Sequence, residues 1–347
     1  RGGGGGGGGV AGRPPPRRRP PGRRRGPPRG PPLPDAAGPA GPGGAARAAT
    51  PAGCLRLRVR RLRLPMSLLD PVSRLACGRF TLPLERPLVM AVVNVTPDSF
   101  SDGGRHDTVE AAIAHARRLV ADGADLIDIG GESTRPGAKP VSPDEEIARV
   151  IPVLDALRDC GVPLSVDTRH PATMRAAIGH GADMINDVLA LREPGAIDAV
   201  RDSACAVCLV HMQGEPATMQ QAPAYGEVVS EVEQFLEARV DALRAAGVAR
   251  ERIVVDPGIG FGKTLRHNLL LLGALDELAA AGQPVLVGVS RKSMIGDLTG
   301  RPADGRLAGS LAAMLAAVAR GAALVRVHDV AETRDALRVW LAIDEAQ

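Results

Sequence analysis

Aromatic side chains are almost absent from the 347-residue chain, which has one Trp, one Tyr and four Phe. That excludes a stacking platform for single-stranded nucleic acid, which needs rings in series. Lysine is equally scarce: Lys139, Lys263 and Lys292 stand beside 40 Arg. No run of about 18 apolar residues occurs, so no membrane span is expected. No apolar h-region marks a signal peptide either, and the chain reads as cytoplasmic. Five cysteines at irregular spacing do not make a secreted disulfide framework. Cys205 and Cys208 form a C-x-x-C, but Cys208 lies inside the apolar run A-V-C-L-V and Cys205 directly precedes it. Without a second Cys or His pair they read as part of a buried strand, not as a zinc or redox site.

The formal charge of +4 is misleading. Residues 1–65 hold 15 Arg, no Lys and one acid, a net +14, and the remainder carries −10. The first 65 residues also contain 17 Gly and 14 Pro. Such a segment cannot bury enough apolar surface to offset its ordering entropy, so it is expected to be disordered. With no Met before Met66, the native chain is expected to start at or near Met66. Residues 66–87 read as a lead-in, and the acidic body has no need of a nucleic-acid partner.

From Leu88 the chain repeats one plan: a short apolar run, a Gly-rich polar loop, then an amphipathic segment. The runs are Leu88–Val95, Leu126–Gly130, Leu164–Thr168, Met184–Val188, Ala206–Met212, Ile253–Gly258, Val285–Ser290 and Leu324–Val330. Short, Val/Ile/Leu-rich runs suit buried parallel strands. Between them, 227–247 puts Val229, Val232, Phe235, Leu236, Val240 and Leu243 on one helical stripe. Asp107 and Asp144 read as helix caps, and Gly123, Gly161, Gly181 and Gly247 as left-handed helix ends. Eight units over 88–343 predict an α/β (β/α)8 barrel; a doubly wound sheet is the alternative. Active sites of such barrels lie where the strands end.

Those ends are unusually polar. Asp167, Asn186 and Asp256 follow strongly apolar residues and should point into the barrel mouth, where buried acceptors need partners. Two carboxylates and an amide suggest a ligand with several N–H donors. Arg326 and His328, two apart, face the same way. The last strand should close against the first, near Asn94. Cations beside an amide oxygen suit a phosphate with a hard cation. Lys292 stands just after the seventh run, between Arg291 and Ser293. The string Gly258–Thr264 imitates a nucleotide-binding P-loop, but that pattern needs Gly at 257, which is Pro.

Six strings carry a resemblance: N-V-T-P-D-S-F-S-D-G-G at 94–104, D-I-G-G-E-S-T-R-P-G at 128–137, S-V-D-T at 165–168, D-P-G-I-G-F-G-K at 256–263, S-R-K-S at 290–293 and R-V-H-D at 326–329. Together they resemble the dihydropteroate synthase family, the pterin-binding, sulfonamide-inhibited enzymes of folate biosynthesis. The resemblance implies a transferase joining p-aminobenzoate to a dihydropterin methyl diphosphate. It implies a pterin held by Asp167, Asn186, Met212, Asp256 and Lys292. It assigns diphosphate to Asn94, Thr134, Arg326 and His328, and Mg2+ to the Asn94 oxygen. Phe100, Thr134, Pro136, Lys292 and Ser293 would shape the p-aminobenzoate pocket, and the family implies a homodimer.

Overall fold

The computed structural model describes residues 2–3, 71–95, 105–132, 140–215 and 218–346, with backbone alone at 105–108. Disorder over 1–65 and a start at Met66 concern residues outside this set, Gly2 and Gly3 apart. Two strands, β1 (Arg74–Cys77) and β2 (Phe80–Pro83), form an antiparallel hairpin. Eight parallel strands follow: β3 (Leu88–Asn94), β4 (Leu126–Gly130), β5 (Leu164–Asp167), β6 (Met184–Asp187), β7 (Ala206–Val210), β8 (Ile253–Asp256), β9 (Val285–Val287) and β10 (Ala322–Val327). They pair in chain order, and β10 closes onto β3. The doubly wound alternative is thereby discarded.

Helices lie between the strands: α1 (Arg105–Ala121), α2 (Pro143–Leu157), α3 (Pro171–Gly179), α4 (Ala196–Val200), α5 (Val228–Ala245), α6 (Leu265–Gly273), α7 (Leu275–Ala280), α8 (Ser293–Thr299), α9 (Leu307–Val318) and α10 (Val330–Glu345). Gly123, Gly161, Gly181 and Gly247 all have positive φ, as their places after helical segments predict. Two cap assignments need correction. Ser142, not Asp144, caps α2 by accepting from the Glu145 amide. The backbone of α1 begins at Arg105, so Asp107 lies inside its first turn rather than at the cap.

Strand alternation sorts the core into two shells. Val89, Ala91 and Val93 of β3 join the large cluster under the helices, whereas Leu88 and Met90 face the barrel interior. That interior also holds Leu126, Met184, Cys208, Val254, Leu286 and Leu324. Cys205 and Cys208 are buried, as the apolar run predicts. Burial pushes the Cys205 thiol up to about 12, which suits an inert packing role.

The hairpin is a feature that the lead-in reading omitted. Its Leu75 and Cys77 complete the interior cluster. Asp183, immediately before β6, pins it: the carboxylate accepts from the Arg79 amide (3.0 Å), Arg79 Nε (3.1 Å), Arg79 Nη2 (2.9 Å) and the Leu164 amide (3.1 Å). Gly78 turns at φ +55°, and a Cβ there would lie 2.4 Å from Asp183 Oδ1. Asp183→Ala strands two backbone donors and is expected to cost about 2–3 kcal/mol, read as a lower urea midpoint at unchanged m-value.

Candidate active site

The inward positions of four strands change from apolar to polar over one two-residue step: Leu126, Met184, Val254 and Leu324 are followed on the same face by Asp128, Asn186, Asp256 and Arg326. On the fifth, the buried Ser165 is followed by Asp167. A floor that is apolar except at Ser165 therefore carries a polar layer at the carboxyl ends of the strands.

Arg326 organises that layer. Its Nε donates to Asp128 Oδ2 at 2.6 Å and its Nη2 to Asp167 Oδ2 at 2.8 Å. Asn186 Nδ2 donates to the same Asp128 oxygen at 3.2 Å. Burial disfavours the guanidinium charge, but Asp128 and Asp167 outweigh it and hold the group firmly protonated. Asp128 is fully buried, and it is the member of this ring that sequence reasoning left without a role. Counting by two from Leu126 would have found it. Asp128 Oδ1 and Asn186 Oδ1 are buried with no hydrogen-bond partner among the described residues.

Asp256 Oδ1 accepts from the Gly258 amide at 2.7 Å. Burial raises its pKa against the pull of Lys292 and that amide. The Lys292 ammonium donates to the Ile259 carbonyl and lies 4.7 Å from the Phe261 ring centroid. Met212 joins Val188, Leu189, Met219 and Phe261 in a separate apolar cluster. His328 Nδ1 lies 3.0 Å from Ser290 Oγ. Asn94 ends β3, its Oδ1 packed over Gly130. Ser293 is exposed at the start of α8. Phe100, Thr134, Pro136 and Lys139 lie outside the described residues.

Two further clusters went unread in the sequence. Glu132 accepts from Arg169 (3.1 and 3.2 Å) and from the Val141 amide (3.2 Å). Glu146 is wholly buried in α2 and accepts from Thr168 Oγ1 at 2.6 Å. Both depend on partners distant in sequence.

The ionisation of this mouth sets a pH dependence. Burial raises Asp167 to about 7 and Asp187 to about 6. Stability from these groups is fully present below their unfolded pKa, about 3.9, and is lost as pH rises through about 6 and 7. Burial lowers Lys292 to about 8 and Lys263 to about 7. Stability from them is present above the unfolded value of about 10.4 and is lost as pH falls through about 8 and 7. The contribution of these four groups to the urea midpoint is therefore expected to pass through a trough near pH 7. Asp167→Asn should flatten the acid side of that trough.

The comparisons with known proteins agree with this geometry. The profile of the family described as "Pterin binding enzyme" matches residues 90–328. The dihydropteroate synthase of Neisseria meningitidis serogroup C is 54% identical over 271 residues, 77% of this chain and 96% of that protein. The Xanthomonas albilineans dihydropteroate synthase structure with 4-aminobenzoic acid is 56% identical at a TM-score of 0.75. That match covers 79% of this chain and 98% of the other. The Burkholderia cenocepacia enzyme complexed with 7,8-dihydropteroate is 54% identical at a TM-score of 0.73, covering 80% and 99%. With the polar layer in the barrel mouth and matches over most of both chains, the protein belongs to the dihydropteroate synthase family of pterin-binding enzymes.

Proposed function

We propose that the chain joins p-aminobenzoate to (7,8-dihydropterin-6-yl)methyl diphosphate, giving 7,8-dihydropteroate and pyrophosphate in folate biosynthesis. The observation that carries this reading is the acceptor-rich group of Asp128, Asp167, Asn186 and Asp256, with two buried oxygens that lack partners among the described residues. A pterin edge presents several N–H donors and one carbonyl. The carboxylates and the Asn186 oxygen accept from the donors, and Lys292 donates to the carbonyl and a ring nitrogen. Met212 packs against the ring system.

The reaction is a displacement at the pterin methylene. Its C–O bond breaks with the electron pair leaving on the diphosphate, whose charge Arg326 and His328 stabilise. Asp167 and Asp256 stabilise the positive charge that develops on the pterin. The p-aminobenzoate amine, neutral near pH 7, forms the new C–N bond and releases its proton to water. Phe100, Thr134, Pro136, Lys292 and Ser293 shape the pocket for this second substrate, and Asn94 and Thr134 also hold diphosphate.

Mg2+ fits the residues present. Asn94 offers a hard amide oxygen at the end of β3, and Mg2+ usually takes one or two protein ligands, completing its shell with substrate phosphate and water. When bound it would draw charge off the leaving diphosphate.

The test is pyrophosphate release with both substrates present. Release requiring p-aminobenzoate, and inhibited by a sulfonamide in competition with it, is expected. Purely noncompetitive inhibition would overturn the pocket. No described helix is long and apolar enough to cross a membrane. Exposed Leu269 and Leu270 on α6 and Leu298 on α8, two helices in contact, support a homodimer.

A further inference from the structure

The loop after β8 carries a buried lysine that the proposed chemistry does not use. Lys263 is 3% exposed. Its ammonium lies 2.9 Å from His211 Nδ1, 3.0 Å from the Gly258 carbonyl, 3.0 Å from the Phe261 carbonyl and 3.3 Å from the His211 carbonyl. All these groups accept, and an ammonium has three protons to give. His211 is held for that role. Burial and the Lys263 charge lower its pKa to about 3, so the ring is neutral, and it stands edge-on to Phe235 at 4.9 Å.

The cage joins two loops. One follows β7 and carries His211 and Met212; the other follows β8 and runs from Asp256 to Lys263. The His211 amide donates to the Asp256 carbonyl at 2.9 Å. A Cβ on Gly258 would fall 1.8 Å from the His211 carbonyl, so the backbones meet closely and only glycine fits, at φ +68°. The second loop bears Asp256 and the Ile259 carbonyl that receives Lys292.

We propose that Lys263 is a positioning residue: through His211 and the Gly258 and Phe261 carbonyls it locks the two loops in one register, fixing Asp256, Lys292 and Met212 for the pterin. A buried cation is costly, and burial lowers this one to about 7 against the attraction of Asp256. A side chain serving only to fill space here would not carry that cost. The inference rests on the pterin reading of the site.

The test is calorimetric titration of the dihydropterin diphosphate, with Mg2+, into the full chain and into Lys263→Met, His211→Phe and the double variant. Lys263→Met is expected to raise Kd about tenfold and His211→Phe at least threefold. The double variant should be no worse than Lys263→Met, because the two act as one unit. In turnover, KM for the pterin substrate should rise with Kd while kcat falls less than threefold. If Lys263→Met does not fold, His211→Phe decides. Unchanged affinity in either folded variant, or effects that multiply in the double, overturns the inference. Failure of the parent chain to bind the pterin would instead overturn the reading of the site.

Discussion

Asp256→Asn is expected to raise the Kd for the dihydropterin diphosphate by one to two orders of magnitude. Losing charge-assisted hydrogen bonds from the pterin N–H groups costs about 1.5–3 kcal/mol, and each 1.4 kcal/mol is about tenfold. Turnover should fall further than affinity. Asp256 is the main group sustaining the charge of Lys292 against burial, so its removal drives Lys292 toward the neutral amine at pH 7. The developing charge on the pterin also loses a stabilising carboxylate. Calorimetry gives the first effect and single-turnover kinetics the second. Unaltered binding would remove Asp256 from the pterin site.

Arg326→Met is expected to be the most damaging single change to the folded state. The guanidinium separates Asp128 and Asp167 and bonds both. Its loss leaves two buried carboxylates facing each other, a defect worth about 3–5 kcal/mol. The sign with pH follows from Asp167, whose pKa is already up at about 7 with Arg326 in place and rises further without it. The deficit should therefore be small at pH 5 and large at pH 8 in urea denaturation. Adding Asp128→Asn should restore much of the stability, while pyrophosphate release stays at least a hundredfold below the parent. Recovery of both would reduce Arg326 to a structural ion pair.

Much of this arrangement was legible in the sequence because a parallel barrel is written locally. Each strand announces itself as a run such as Leu126–Gly130, and each polar strand end follows directly. Asp167, Asn186, Asp256 and Arg326 could be found that way. The hairpin could not, because four-residue strands such as Arg74–Cys77 are too short for alternation to register. Asp128 was hidden by the loop motif it opens, although its spacing from Leu126 marks it as inward. Lys263 was conspicuous as one of three lysines, yet its meaning lies in His211, 52 residues earlier. Glu146 reads as an ordinary helix-surface acid until Thr168 is seen above it. Pairings across loops leave no periodic trace.

The hairpin below the barrel also bears on access. Leu75 and Cys77 belong to one apolar cluster with Leu88, Met90, Leu126, Met184, Val254, Leu286 and Leu324, so the barrel interior is filled by side chains and the hairpin extends that filling at its lower end. The polar layer is therefore approached from the carboxyl ends of the strands, over a floor whose lowest course is supplied by a four-residue strand.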